Sequence, residues 1–255
     1  MKLTKYILFL SLFYFSNVFG AQDYNKFVGT AKNDAGEIVY YEDHQVEHND
    51  QGQIIRIQTR YLRPNKKKEI FARLESKFLT SGFVPVSSFE DLRNGHQENT
   101  SLEDGELFII HSNSSTEKKS KKALELTSNM VMGQGYHNYI VSNLDDFEVD
   151  EKRVLDFVVP AKQTYYKFNL TYLGEKKENP DLVTLRLDIT NWFLSLFASK
   201  IEVDYDPKSK RLMAYRGLTN IEDDDGDNQS LNITFQYIEE KKWNADYAGL
   251  EGTLG

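Results

Sequence analysis

Hydrophobic and polar residues alternate along most of the chain in short segments that end at turn residues. KFVGTAK (26–32) is followed by Asn-Asp-Ala-Gly, EIVYYEDHQVEH (37–48) is followed by Asn-Asp-Gln-Gly, and later segments are separated at Asp104-Gly105. Asn-Gly and Asp-Gly pairs favour the tight turns of β-hairpins because these residues tolerate a positive φ angle. The pattern predicts an antiparallel meander that extends to about Glu125.

The spacing of the apolar residues along the chain changes after this meander. Tyr136, Ile140 and Leu144 recur every four residues, which predicts a helix over roughly 135–146. The segment NWFLSLFAS (191–199) is dense in large apolar residues and is interpreted as one short buried helix. Alternating segments return between and after these helices, so the second half of the chain is also expected to be mainly strands.

The pattern predicts about ten strands and one or two short helices. A sheet of that many strands does not stay small and open; it curls, closes or splits. We therefore expect a mainly β protein with a strongly curved antiparallel sheet or half-barrel and helical segments on its concave face. Residues 21–240 are expected to form a single domain, with candidate halves 21–125 and 147–240 joined by the helical segment. Residues 241–255 lack periodicity and are expected to form a flexible tail.

Residues 1–20 have the features of a secretory signal peptide. Lys2 and Lys5 precede an apolar run too short to span a membrane, and cleavage is expected after Gly20. The chain has no cysteine, which excludes a lipid anchor at the cleavage point and is unusual for an extracellular eukaryotic domain. A periplasmic or exported Gram-negative protein is expected, with no transmembrane span after signal cleavage.

The charge of the chain limits its partners. Loss of Lys2 and Lys5 with the signal peptide would take the net charge from −8 to −10. Phosphate binding requires a basic surface, so nucleic acid is not expected as a general partner. Adhesion to anionic lipid is disfavoured for the same reason.

The residues His44-Gln45-Val46-Glu47-His48 match H-x-x-E-H, the signature of inverted zinc proteases. On a helix the two histidines would lie about 6 Å apart and could share one zinc ion. On a strand they would stand roughly 13 Å apart, which is too far. The flanking tyrosines and the turn at 49–52 favour a strand, on which Glu42 and His44 share a face. A metal-dependent hydrolase is therefore a minor alternative.

The segment NIEDDDGDNQS gathers several acidic residues around Gly226. Asp223, Asp225 and Asp227 could hold Ca²⁺, although the spacing does not fit an EF-hand loop. A solvated hairpin turn is the main interpretation, since Asp-Gly is a common turn pair. No other cofactor is expected.

The chain is rich in aromatic residues, with 15 tyrosines, 16 phenylalanines and two tryptophans. In a curved sheet these side chains either fill the core or line a pocket for an apolar ligand. The candidate ligand-binding residues are Tyr165, Phe168, Tyr172, Trp192, Phe193, Phe197, Glu42 and His44.

Several stretches of the chain together resemble an uncharacterised family of exported Gram-negative proteins, a domain of unknown function. The stretches are FVGTAKNDAGEIVYYEDHQVE, LDFVVPAKQTYYKFNL and the long segment from NWFLSLFASKIEVDYD to LNITF. The matching positions are Gly29, Ala31, Gly36, Tyr40, Glu42, His44, Val159, Pro160, Trp192, Leu196, Glu202, Tyr205, Asp206, Gly217, Asn220 and Gly226. Thr219 stands where the pattern has serine, and His48 has no counterpart. The resemblance implies no activity. The expected fold is also loosely similar to periplasmic lipoprotein-carrier half-barrels.

Three functions remain open from the sequence. The first is a non-enzymatic protein that binds an apolar or amphipathic ligand, such as a lipid or a lipoprotein chain, in its concave sheet. The second is a structural or interaction protein of the cell envelope with a protein partner there. The third is the metal-dependent hydrolase. An outer-membrane barrel fits the alternation but not the helical segments or the charged strands.

Overall fold

The structure is a computed structural model that describes residues 25–64, 69–190 and 200–238. Its strands are β1 (Lys26–Lys32), β2 (Ile38–His48), β3 (Ile54–Leu62), β4 (Ile70–Lys77), β5 (Val86–Asp91), β6 (Gln97–Glu103), β7 (Glu106–Ser112), β8 (Ser120–Glu125), β9 (Met130–Met132), β10 (Lys152–Val159), β11 (Thr164–Lys176), β12 (Asn179–Ile189), β13 (Ile201–Asp206), β14 (Arg211–Glu222) and β15 (Asn228–Tyr237). The predicted signal peptide, the helix at 191–199 and the tail at 241–255 lie outside the described residues.

All fifteen strands belong to one sheet with the order β8-β7-β6-β5-β4-β3-β2-β1-β15-β14-β13-β12-β11-β10-β9. Sequential strands pair antiparallel from β1 to β8 and from β10 to β15, β1 also pairs antiparallel with β15, and β9 runs parallel to β10. The mainly β class and the meander to Glu125 are confirmed. The hairpin predicted at Asp104-Gly105 is confirmed too, since both residues have positive φ between β6 and β7.

The strand count is higher than the predicted number of about ten. Two of the additional strands have weak sequence signals for physical reasons. Strand β8 begins Ser-Lys-Lys, because it lies at the exposed end of the sheet and needs no alternating apolar face. Strand β9 has only three residues, all buried, so it shows no alternation to detect.

The predicted helix at 135–146 is confirmed as α1 (Gly135–Asn143) followed by a 3₁₀ turn over Leu144–Asp146. Gly135 is required by a close approach, since an added Cβ would lie 2.0 Å from the carbonyl oxygen of Phe83. Among the described residues, no helix is long and apolar enough to cross a membrane.

The sheet curves around α1. Gln134, next to the helix start, donates from Nε2 to Oγ1 of Thr59 on β3 at 3.0 Å, and His137 lies 2.9 Å from the hydroxyl of Tyr205 on β13. These strands are five positions apart in the sheet order, which is about 24 Å in a flat sheet. The two helix residues are only three apart, so the strands must wrap around the helix.

The two ends of the sheet meet through side chains. Leu107 and Ile109 of β7 pack with Met130 and Met132 of β9 in one buried cluster. Gln163 bridges the same region, because its Nε2 donates to the Ile109 carbonyl oxygen at 3.0 Å. In the described part of the chain β8 and β9 share no backbone ladder, so the sheet is not closed into a barrel.

The register aligns residues from many strands into one transverse row. The row consists of Tyr237, Phe27, His44, Thr59, Leu74, Phe89, Glu98, His111 and Ser120. Cross-strand partners on such a row point to the same face of the sheet. Residues far apart in sequence, such as His44 and Glu98, therefore share the row.

Candidate functional site

A chain of buried polar side chains starts at the Glu42 and His44 pair on β2. Nε2 of His44 lies 2.9 Å from Oε2 of Glu42, and Nδ1 of His44 lies 2.8 Å from Oγ1 of Thr59. Nε2 of Gln134 donates to the same Thr59 oxygen at 3.0 Å. An ionised carboxylate only accepts, so the imidazole donates from Nε2 to Glu42, and Nδ1 and the Thr59 hydroxyl share the second hydrogen bond. The chain ends at Gln134, whose Oε1 is buried and has no hydrogen-bond partner among the described residues.

Aromatic rings pack closely around this pair. The His44 ring stacks on Phe27 with 4.1 Å between centroids and meets Phe235 edge-on at 6.0 Å. Gly29, opposite Glu42 in the register, leaves room for the carboxylate, since an added Cβ would lie 3.0 Å from Oε2 of Glu42. The side chains of Glu42 and His44 are only 9% and 6% exposed.

Three tyrosines near Glu42 stay protonated. Burial raises the pKa of Tyr61, and the charge of Glu42 raises it further. The pKa of Tyr136 is raised by the same two causes, and that of Tyr215 is raised by burial, by Tyr136 and by Glu42. These phenols therefore act as neutral groups around the carboxylate.

His137 on α1 is a second imidazole near the pair, and it is partly buried. Burial lowers the pKa of His137 to about 4, and the neighbouring His44 contributes to the shift. Its ring stacks on Tyr205 with 5.5 Å between centroids, and its Nδ1 is hydrogen-bonded to the Tyr205 hydroxyl. At neutral pH this side chain is an uncharged packing residue.

A second group of histidines lies four strands away on the same row. The rings of His96 and His111 meet at 5.3 Å between centroids, and Oε1 of Glu98 lies 3.2 Å from Nε2 of His96. Glu98 raises the pKa of His96. Burial and the nearby His96 lower the pKa of His111. Within the described residues, Nε2 of each histidine is buried and has no hydrogen-bond partner.

A cleft of about 320 Å³ opens at the end of the sheet beside the β2–β3 hairpin. Its wall contains residues from that hairpin, from the β4–β5 loop and from α1: Asn49, Gly52, Gln53, Ile54, Ile55, Phe78, Leu79, Thr80, Ser81, Gly82, Asn138 and Val141. None of these side chains carries a charge. Phe78 joins the wall to a buried cluster that includes Phe27, the ring that stacks on His44.

Three of the aromatic residues predicted to bind a ligand lie in the described part of the chain, and they pack against two different clusters. Tyr165 packs at the junction of β7 and β9, whereas Phe168 and Tyr172 pack against the cluster around α1. Phe168 meets Phe157 at 5.6 Å and Tyr172 stacks on Phe147 at 5.7 Å, so both make core contacts. Trp192, Phe193 and Phe197 lie outside the described residues. The predicted pairing of Glu42 with His44 is found.

The acidic segment forms the β14–β15 turn. Oδ1 of Asp223 accepts the backbone N–H groups of Asp225 and Asp227, each at 2.9 Å. Asp224 points elsewhere and pairs with Arg63 at 3.0 Å and with Arg93 at 3.1 Å. These contacts are those of a hydrogen-bonded turn. Across the described ranges, no three histidine, aspartate or glutamate side chains are already arranged around one metal position.

The H-x-x-E-H signature lies on strand β2, where the sequence analysis placed it, and His44 and His48 therefore do not occupy adjacent helical turns. The sequence analysis missed the cleft and the contact between His96 and His111. His96 and Glu98 did carry a signal, since they share the i, i+2 spacing of Glu42 and His44 on a predicted strand. The cleft had no local signal, because three separate segments form its wall.

No protein-family model matches the chain, and no curated protein sequence matches it. Among solved structures, the chain is similar to a crystal structure of a β-barrel-like protein of domain of unknown function DUF1849 from Brucella abortus. That similarity has 9% sequence identity, covers 84% of this chain and 97% of the other, and has a TM-score of 0.41. The proposals below therefore rest on the residues of this chain alone.

Proposed function

We propose that this protein is an exported binding protein for an amphipathic molecule with one apolar chain, held in the cleft beside the β2–β3 hairpin. The observation that carries the proposal is an open cleft of about 320 Å³ with an uncharged wall. Ligand pockets in proteins typically measure about 300–1,000 Å³. The cleft is at the lower end of that range, which suits a single acyl chain better than a bulky ligand.

The composition of the wall supports an amphipathic ligand. Ile54, Ile55 and Phe78 supply apolar surface, and Leu79 on the wall is 71% exposed. Ile55 on the same wall is 39% exposed, so the two side chains give the cleft exposed apolar surface that a ligand would cover. Exposed uncharged polar side chains of the wall, such as Thr80, suit a head group with hydroxyl or amide groups rather than a charged one, whereas the Asn138 amide already donates to the Gly82 carbonyl oxygen at 3.0 Å.

Packed side chains fill much of the concave face in the described part of the chain. Four buried hydrophobic clusters occupy the face, and the largest packs α1 against β10 to β13. The polar chain from Glu42 to Gln134 crosses the interior beside them. A ligand is therefore expected at the end of the sheet, above Phe78, and not among the aromatic residues of β11.

The proposal is tested by displacement of a fluorescent apolar probe, N-phenyl-1-naphthylamine, from the purified mature chain. We expect a monoacylglycerol to displace the probe more effectively than the fatty acid of the same length, because the wall has no cation to pair with a carboxylate. Native mass spectrometry of protein from its own host should show a co-purified lipid and a chain that begins at Ala21.

Matched variants locate the site. Leu79→Asp should weaken probe binding by about tenfold or more, since loss of a large apolar contact costs on the order of 1.5–3 kcal/mol. Val149→Asp is the control, because Val149 is 65% exposed but is not on the wall of the cleft. Probe binding that is absent in the wild type, or unchanged in Leu79→Asp, would overturn the proposal.

A further inference from the structure

The contact between His96 and His111 brings two imidazole rings and a carboxylate together on the concave face. The chain has five histidines, and all of them lie in the described ranges. His44 and His137 each make a hydrogen bond to a named side chain. His96 and His111 instead meet each other, with ring planes at 86°.

The register explains why this group forms. Glu98 on β6 and His111 on β7 are direct cross-strand partners. His96 lies two residues before Glu98, so its side chain projects to the same face when the backbone stays extended. The three side chains therefore occupy neighbouring positions on one face of the β6–β7 pair.

The donor atoms of this group have few alternative partners. Nε2 of His96 and Nε2 of His111 are both buried, and neither has a hydrogen-bond partner within the described residues. Nε2 of His96 does lie 3.2 Å from Oε1 of Glu98, an ion-pair contact that raises the pKa of His96, so Nε2 of His111 is the less well satisfied of the two atoms. Buried polar atoms without partners are rare in native proteins, and each one requires an explanation such as a bound ion.

We propose that His96, Glu98 and His111 form a binding site for a divalent transition-metal ion of the zinc class, with both Nε2 atoms and the carboxylate as ligands. This site is separate from the cleft and does not rest on the proposed function. Imidazole nitrogen suits Zn²⁺, Ni²⁺ and Cu²⁺, whereas Ca²⁺ prefers oxygen ligands only.

Two distances in the structure fit such a site. Zinc bonds of about 2.0–2.1 Å to nitrogen and 2.0–2.2 Å to oxygen in a tetrahedral arrangement separate two ligand atoms by about 3.3 Å. The corresponding separation between His96 and Glu98 is 3.2 Å. The same bonds place two coordinated imidazole centroids about 5 Å apart, and the centroids of His96 and His111 are 5.3 Å apart.

The electrostatic surroundings also favour a cation. Three carboxylates raise the pKa of His96 and so stabilise positive charge at this position: Glu98, Glu222 and Asp91. At His111 the positive charge of Lys162 lowers the pKa and so disfavours a cation, whereas the negative charge of Glu117 raises the pKa. The three proposed ligands do not share one coordination point in the structure, so binding requires a side-chain rearrangement of at least one of them.

The experiment is a titration of the EDTA-treated full mature chain with Zn²⁺, followed by competition with a chromophoric chelator. We expect one Zn²⁺ per chain and no binding of Ca²⁺ at the same concentration. The double variant His96→Gln/His111→Gln should lose at least about 100-fold in zinc affinity. Even replacing a residue that only hydrogen-bonds to a metal ligand lowers metal affinity about 10–100-fold. Glu98→Gln should lose affinity less severely.

The control variant is His48→Gln, which removes a histidine on β2 outside the proposed site and should bind zinc as the wild type does. Circular dichroism and urea unfolding without metal establish that each variant is folded. In ¹H–¹⁵N spectra of the histidine side chains, Zn²⁺ should shift the signals of His96 and His111 and leave His44 unchanged. Absence of zinc binding, or equal affinity in the double variant and the wild type, would overturn the proposal.

Discussion

Two glutamate–histidine pairs each place one member, His44 or Glu98, on one row of the sheet, four strands apart, and differ in how their polar atoms are satisfied. In the β2 pair both ring nitrogens of His44 have partners, Glu42 at 2.9 Å and Thr59 at 2.8 Å. In the β6–β7 group Nε2 of His96 and Nε2 of His111 have no hydrogen-bond partner among the residues that the structure describes.

The difference separates a structural role from a binding role. The saturated pair connects β2 and β3 to Gln134 beside α1, so it holds the helix in the curved sheet. Both ring nitrogens of His44 are already used. The unsaturated group contributes little to the fold through hydrogen bonds and keeps donor atoms that an added ion can use.

The largest effect is expected at the saturated pair. His44→Ala should lower the free energy of unfolding by about 3–5 kcal/mol, because it leaves the buried Glu42 carboxylate without its partner. It also removes the ring that stacks on Phe27. Urea unfolding at pH 7, followed by tryptophan or tyrosine fluorescence, measures the change.

Glu42→Gln is the matched comparison for that prediction. The amide oxygen of glutamine still accepts from Nε2 of His44, so the loss in this variant should be clearly smaller than in His44→Ala. If His44→Ala changed the free energy of unfolding by less than about 1 kcal/mol, the buried pair could not be a main connection between helix and sheet.

The next effect concerns pH and the neighbour of the saturated pair, His137. Its pKa is about 4 in the folded protein, and about 6.5 is expected in the unfolded chain. Below pH 6.5 the unfolded state binds a proton that the folded state does not bind until about pH 4. Stability is therefore highest above pH 6.5, and by pH 5 this group alone lowers it by about 2 kcal/mol.

His137→Gln should remove that part of the pH dependence and keep a hydrogen-bonding group near Tyr205. The measurement is the difference in free energy of unfolding between pH 7 and pH 5 for the variant and the wild type. Contributions from His96 and His111 are present in both proteins and cancel in the comparison. An equal decline in both proteins would mean that His137 is not held neutral by burial.

Local sequence signals predicted most elements of the fold. The turn at Asp104-Gly105 and the four-residue period of Tyr136 and Ile140 depend on neighbouring residues only, and the hairpin and helix are where the sequence analysis placed them. The pairing of β1 with β15 joins the two ends of the chain and has no local signal. The short strand β9 was missed for the same reason, since only its neighbour β10 defines it.

The site could be predicted only within single strands. Glu42 and His44 share a strand face, so their pairing followed from alternation, and the same rule applies to His96 and Glu98. The addition of His111 depends on the register of β6 against β7, which alternation does not specify. Tyr165 and Phe168 were both candidate ligand-binding residues; they lie three apart on β11 and pack against different clusters.

The smallest effect is expected from His111→Ala, the direct counterpart of His44→Ala. Nε2 of His111 has no hydrogen-bond partner in the described residues, and its ring is only partly buried. Truncation should therefore lower the free energy of unfolding in metal-free buffer by no more than about 1 kcal/mol, through lost contact with His96. Urea unfolding under the conditions used for His44→Ala gives the comparison. A loss of 3 kcal/mol or more would show that His111 is needed by the fold itself, and the contrast between the saturated and unsaturated pairs would no longer hold.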